Sequence, residues 1–313
     1  MANREKIFKR LHEDFDTVDL MGKNQGFTCI GIFLRGSQNY NLDDKQSDID
    51  SLAIVLPNLD NLIKGYKPSI EHHNADDSHV DIKDIRYFFD SLKKQNPSYL
   101  EMMTTDYYVL DSNWKVMWEE FWNMDCPTSE WGVLSNREAI CCYHPYRALQ
   151  SIYGDMKSKY KNLFHDAPHS HEDMEKYGYC LKDFHHLNRM KGALVKYLSY
   201  ILQGKVEPEQ RVNYKSLIWL EENTQDYHVL MDYKRNGHDL VSVKTMADTI
   251  MKQYGNMVEQ TLENWKDIDA YSIPNEFLGD QMDRFASDCI RMNVEEEILG
   301  PADVVEEEYF FDE

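Results

Sequence analysis

Two apolar runs, FTCIGIFL (27–34) and SLAIVLP (51–57), constrain this chain more than any other feature. Each is short, continuous and bounded by turn residues, the pattern of a strand buried on both faces. Between them lies a polar turn, GSQNYNLDDKQS (36–47), and the second run is entered through Asp48-Ile49-Asp50. Two more segments read as strands. SHVDIKD (78–84) alternates, with Val80 and Ile82 on one face and Asp81 on the other, and DYYVL (106–110) is short and aromatic. Residues 3–16 carry Ile7, Phe8, Leu11 and Phe15 at helical spacing, and residues 85–95 read as a helix that stops before Asn96-Pro97.

Beyond about residue 125 the strand signals give way to helical ones, over roughly 135–165, 173–204, 212–222, 242–265 and 275–291. Asp125-Cys126-Pro127-Thr128-Ser129 marks the change. Strands first and helices afterwards predict an α+β chain. Residues 1–128 form a mixed sheet with flanking helices, 129–293 an all-helical domain that closes a cleft, and 294–313 a solvated acidic tail. That tail holds Glu295-Glu296-Glu297, Glu306-Glu307-Glu308 and an out-of-place Tyr309-Phe310-Phe311, which would dock on the chain's own helices or on a protein partner.

Of 313 residues, 42% are hydrophobic and 12% aromatic, enough for a sizeable core. The net charge of −21 excludes a protein that coats nucleic acid through bulk charge, and disfavours an anionic membrane surface. It leaves room for a local basic groove. Six cysteines without a Cys-x-x-Cys pair are read as reduced, buried thiols of a cytoplasmic protein. No apolar run is long enough to span a bilayer, and the N-terminus lacks the apolar stretch of a signal peptide.

The stretch from Gly36 to Pro57 carries the chemistry. Asp48 and Asp50, two apart on a strand, point to one face, and Asp81 would join them from a neighbouring strand. Glu71 and Asp84 compete with Asp81 as the third acid. Like charges about 4 Å apart repel by about 4 kcal/mol at an effective dielectric of 20, so such a cluster is tolerated when a divalent cation neutralises it. Oxygen-only ligands point to Mg²⁺ or Mn²⁺. On the same reasoning, Asp48→Asn and Asp50→Asn should leave folding intact and slightly stabilise the protein without its metal. Gly36 and Ser37, at a strand end, suit a phosphate, which glycine lets the backbone approach closely. The other Asp-x-Asp pairs, Asp14/Asp16 and Asp267/Asp269, lie on apparent helices and read as solvated surface.

Lys182, His186 and Arg189 share one helix face at i, i+4 and i+7. Two readings stand for them: a basic face over phosphates, with Arg189 foremost because its fork matches a phosphate, or a solvated face with a packed histidine. Lysines in KSKYK (157–161), with Lys191 and Lys196, either bind a nucleic-acid end or balance acidic neighbours. Tyr40 either packs under the turn or stacks on a base, and Glu101 either braces the turn or pairs with Arg35. The cluster His165, His169 and His171 lacks structural zinc spacing and reads as an exposed loop, as does His72-His73.

In GSQNYNL (36–42), SDID (47–50), HVDIKDIRYFFDSLKKQNPSYLEMM (79–103) and KDFHHLNRM (182–190) the chain resembles the DNA polymerase β-type nucleotidyltransferase superfamily. More narrowly, it resembles the predicted nucleotidyltransferases of bacteria and phages, some of them linked to RNA repair. The similarity covers residues 27–205 and departs at Asn41, where the family has glycine. The resemblance implies a metal-dependent enzyme that moves NMP from an NTP to an acceptor hydroxyl, an RNA or tRNA end, a protein or a small molecule. It implies Asp48, Asp50 and Asp81 as catalytic metal ligands, and Gly36, Ser37, Tyr40, Lys182, His186 and Arg189 as the nucleotide site. A catalytically silent nucleotide- or partner-binding regulator is the competing expectation.

Overall fold

The structure, a computed structural model, describes residues 2–40, 48–76, 78–103, 105–128, 132–141, 143–167, 170–203, 238–265 and 275–299, with His228 and Asp232. Expectations for Asn41, Lys45, Cys142, His169, the 212–222 helix, Asp267/Asp269 and the tail beyond Leu299 lie outside these residues, as do those for the side chains of Ser37, Tyr40 and Lys196.

The fold is α+β, with a five-stranded mixed sheet and a helical C-terminal region. Strand β1 (Phe27–Arg35) pairs antiparallel with β2 (Asp50–Pro57), which pairs parallel with β4 (His79–Asp84). Strands β3 (Ser69–His73) and β5 (Tyr108–Leu110) form the edges, giving the order β3-β4-β2-β1-β5. Strand β3 contradicts the expected loop at His72-His73. Its alternation is half-exposed and Ile70 is its one apolar residue, so it lacks the apolar run that betrayed the central strands. A register shift between Cys29 and Gly31 marks a bulge in β1 that resets which side chains face which way.

Each face of the sheet is covered. Helix α1 (Ala2–Gln25) lays Ile7, Leu11 and Val18 on Cys29, Ile32, Leu34, Ala53, Val55, Val80 and Ile82. Asp14 falls in the same core-facing series and is 1% exposed, not solvated surface as its Asp-x-Asp spacing suggested. It accepts a hydrogen bond from Ser51 Oγ at 2.7 Å and pairs with Arg10 Nε at 2.9 Å, while Arg10 also holds Asp76 and Ser78. Asp14→Ala would strand the buried Ser51 hydroxyl. We expect a loss of about 2–3 kcal/mol, read as a lower urea midpoint at unchanged slope.

The opposite face presents Ile30, Phe33, Leu52, Ile54 and Leu56 to a core shared with α3 (Ile85–Lys93), α4 (Pro97–Met103), α5 (Ser112–Asn123) and the C-terminal helices. Asp84 and Asp111 cap α3 and α5 by accepting from the N–H groups of Arg86 and Asn113. With its carboxylate spent on that cap and on the Arg86 guanidinium, fully buried Asp84 is structural.

The expected boundary near residue 128 falls inside a hairpin, β6 (Asp125–Thr128) with β7 (Gly132–Ser135), where Thr128 pairs Gly132. The predicted 135–165 helix is two, α6 (Asn136–Cys141) and α7 (Pro145–Asn162), and the next is likewise split into α8 (His171–Tyr177) and α9 (Leu181–Gln203). Gly178, at φ 76°, ends α8 in the left-handed conformation that glycine adopts at low cost. Helices α10 (Leu240–Trp265) and α11 (Asn275–Leu299) follow. Helix α11 extends past the expected end at 291 and takes in Glu295-Glu296-Glu297, so the acidic segment begins as helix. Glu297 accepts the Leu59 N–H at 3.0 Å, and Asn293 donates to the Pro57 carbonyl at 3.2 Å. The cysteines among the described residues are buried and form no disulfide with one another, with burial raising Cys180 to about 11 and Cys289 to about 12. Among the described residues no helix is long and apolar enough to cross a membrane.

Candidate functional site

Strand register brings the acids together. Phe33 pairs with Leu52, Arg35 with Asp50, and Leu52 with Asp81. Paired residues share a face, so Arg35, Asp50 and Asp81 extend from the Phe33–Leu52 side of the sheet, where that core runs out. His79 and Lys83 alternate with Val80 and Ile82 and join them. Glu71, paired with Asp81 across β3, lies near the same face but is exposed and engages His73 at 3.5 Å. Asp48 precedes β2 and is exposed, and its carbonyl accepts Gln38 Nε2 at 3.0 Å.

The carboxylates are not left to repel one another. His79 Nδ1 lies 2.8 Å from Asp50 Oδ1, which also accepts the His79 backbone N–H at 3.2 Å. Arg35 Nη1 bonds Asp81 Oδ2, and Lys83 Nζ stands 3.7 Å from Asp81 Oδ1. The premise that a metal is needed to hold these acids in place is therefore corrected: the chain supplies its own counter-ions. Burial alone would raise the Asp50 pKa. The hydrogen bonds and charge of His79, with the charge of Lys182, reverse this and hold it below its ordinary 3.8. His79 is raised above its ordinary 6.5, first by the hydrogen bond to Asp50 and, against its own desolvation, by the charges of Asp50 and Asp81.

A pH dependence follows. A depressed carboxylate stabilises the fold above its unfolded pKa and loses that contribution as pH falls through the folded value. A raised histidine stabilises below its unfolded pKa and loses it as pH rises through the folded value. Both contributions are complete between about pH 4 and 6.5. We expect the thermal midpoint to decline from pH 6.5 towards 8.5, and the decline to shrink in His79→Gln. Superimposable profiles would refute the pairing.

Gly36 opens the turn at φ 88°, which an L side chain rarely adopts. A Cβ there would meet Asp50 Oδ2 at 3.8 Å, an ordinary contact, so the need for glycine is conformational. Residues Ser37–Tyr40 form a 3₁₀ turn. Beneath it, Glu101 of α4 is 7% exposed and accepts the Gly36 N–H at 3.2 Å. Burial raises the Glu101 pKa, opposed by the charges of Arg189 and Arg35 and by the Gly36 and Asn39 hydrogen bonds. Asn39 donates to the Leu34 carbonyl at 2.7 Å and accepts from Thr105 Oγ1 at 2.7 Å. Glu101 thus braces the turn, and the Gly36 N–H is directed at this carboxylate. The Asn-Pro-x-x-Leu-Glu segment was the signal for it, without an assigned role.

Helix α9 approaches from the helical region. Lys182 is exposed and its charge reaches Asp50. His186 is half-buried. Desolvation, then the charges of Arg189, Lys159 and Lys182, press its pKa well below 6.5, which leaves a neutral imidazole at pH 7. Arg189 is 7% exposed and acts on Glu101 and on Asp155. The shared face of Lys182, His186 and Arg189 therefore grades from solvent to core, with Arg189 buried and its charge felt by two carboxylates.

In KSKYK, Tyr160 donates to Asp248 at 2.6 Å, and Lys157 lies over the Tyr153 ring at 4.3 Å. Exposed His171 pairs with Asp166 at 3.1 Å.

As a site for a divalent cation, the donor set fits in kind. Asp48, Asp50 and Asp81 offer hard carboxylate oxygens, two of them half-buried on one face of adjacent strands. Among the described residues no three His, Cys, Asp or Glu side chains are drawn together as a metal-holding group. Arg35 and His79 stand where the carboxylates would otherwise converge. Compared with known proteins, the chain matches no family model and no curated sequence.

Proposed function

We propose that the chain is a metal-dependent nucleotidyltransferase with a polymerase β-like catalytic fold, which moves NMP from an NTP to the hydroxyl of an RNA or tRNA end. One observation carries the reading. Of the three acids the motif nominates, Asp50 and Asp81 lie on one sheet face beside a left-handed glycine turn, with Lys182 acting on Asp50 from a separate helix.

Asp48, Asp50 and Asp81 would hold Mg²⁺ or Mn²⁺. Bound there as a pair, such ions supply electrophilic stabilisation of the attacking and leaving oxygens. Lys182 orients the anionic nucleotide from the exposed side. Asp81 orients the acceptor hydroxyl. Glu101 and Asn39 keep the Gly36 turn in one shape beside the acids, with the Gly36 N–H held by Glu101 and not offered to a phosphate. His186, neutral at pH 7, adds no positive charge between Lys182 and Arg189 on this face of α9. The −21 charge and the burial of Arg189 limit the basic surface, which favours a short acceptor end over a long nucleic-acid footprint.

The test is release of pyrophosphate from each of the four NTPs with Mg²⁺ or Mn²⁺, with and without total RNA. RNA-dependent release establishes the transferase and its nucleotide. RNA-independent release moves the acceptor to a protein or small molecule. Nucleotide binding without release under any condition replaces the enzyme by a binding regulator.

A further inference from the structure

We propose that Arg35 is an exchangeable counter-ion, which neutralises Asp81 until a divalent cation binds and then passes to the anionic ligand that arrives with that cation. The inference rests on the metal-dependent reading above and adds to it a coupling between the two ligands.

The face is already charge-balanced. Asp81 is bonded to Arg35 and approached by Lys83, Asp50 is held by His79, and Glu101 faces the charges of Arg189 and Arg35. A divalent cation entering this arrangement meets a guanidinium on one of the carboxylates it needs. It can use Asp81 fully only if Arg35 lets go.

Arg35 is placed to do so. It is the last residue of β1, followed directly by Gly36 at the opening of the turn, and its side chain is 22% exposed. Its backbone is fixed by pairing with Asp50, so the motion required is a side-chain swing from the β4 side towards the turn. Once released, a planar fork of donors needs an acceptor, and a phosphate oxygen pair matches it. Lys83 does not replace it, since at 3.7 Å it offers Asp81 a looser, single-point contact. Cation and phosphate would therefore each favour the other's binding, through one residue that cannot serve both carboxylate and phosphate.

The test uses the full chain stripped with EDTA and titrated with Mn²⁺, free Mn²⁺ being followed by its electron paramagnetic resonance signal. Arg35→Gln should bind Mn²⁺ about tenfold more tightly than the wild type, a repelling charge having been removed from the ligand set. Arg35→Lys, which keeps the charge, should bind close to wild type, and Asp81→Asn more weakly. Equal or weaker binding in Arg35→Gln overturns the exchange. If RNA- or NTP-dependent pyrophosphate release persists in that case, the transferase reading stands without it. Failure of wild type and Arg35→Gln alike to bind Mn²⁺ overturns both. Should Arg35→Gln not fold, the Arg35 Nε–H resonance of the wild-type protein, assigned by its loss in Arg35→Lys, serves instead. It should shift as Mg²⁺ is added, and an unmoved resonance at saturating Mg²⁺ overturns the exchange.

Discussion

Asp50→Asn should abolish nucleotidyl transfer, by roughly a thousandfold or more, and should also weaken the folded protein. The first effect follows from the proposed function. Losing a charged ligand to the catalytic cation removes at least about 4 kcal/mol of transition-state stabilisation. The second effect reverses the expectation drawn from charge repulsion alone. An Asp50 surrounded by uncompensated acids would be better neutral, and its amide would stabilise the protein. Here the carboxylate accepts from both the backbone and the ring of His79, and the pair holds the start of β2 to the start of β4. An amide keeps at most one of those bonds at strength and leaves a charged imidazole without its partner. A cost of about 1–2 kcal/mol is expected. Thermal melts at pH 6, where the pair contributes most, show it as a lower midpoint, and pyrophosphate release measured on the same sample separates lost chemistry from lost fold. Wild-type turnover would remove the metal mechanism, and a raised midpoint would remove the His79 pairing.

Trp122→Ala should cost about 3–5 kcal/mol, the range for truncating a large buried aromatic. The indole is fully buried, with its ring centroid 4.8 Å from Phe121 and 6.1 Å from Phe89. Phe121 in turn stacks on Phe285 of α11 at 4.3 Å, and Phe285 meets Phe89 and Trp118 edge-on. The sheet's Phe33 joins through Trp118 at 5.5 Å. One aromatic core thus ties β1, α3, α5 and the C-terminal helix together, across the boundary that composition suggests. The loss should therefore appear as one cooperative denaturant transition shifted to a lower midpoint, followed by circular dichroism. Two separated transitions would show that the helical region folds as an independent unit.

The central strands, the helical character of the second half and the acidic constellation were legible because each depends on local pattern. Runs of apolar residues too short for helices and the alternation around Val80, Asp81 and Ile82 are features of neighbouring residues, and periodicity reports them directly, whereas Asp48, expected on the strand with Asp50, lies before β2 begins. The edge strand β3 was not legible, because a half-exposed strand carries polar residues that look like a loop until its partner is known. Asp14 was read as surface from its spacing to Asp16, although its place in the series Ile7, Leu11, Val18 sets it against the sheet. What surrounds each charge was decided only by tertiary structure. Arg35 stands beside Asp81, His79 beside Asp50, and Glu101 beneath Gly36, across separations of 46, 29 and 65 residues. Strand register and helix docking create those pairings. The sequence pointed to Asp50 and Asp81 for one face, and the packed fold alone determined which cations hold them there, because Coulomb interactions depend on distance in space and not along the chain.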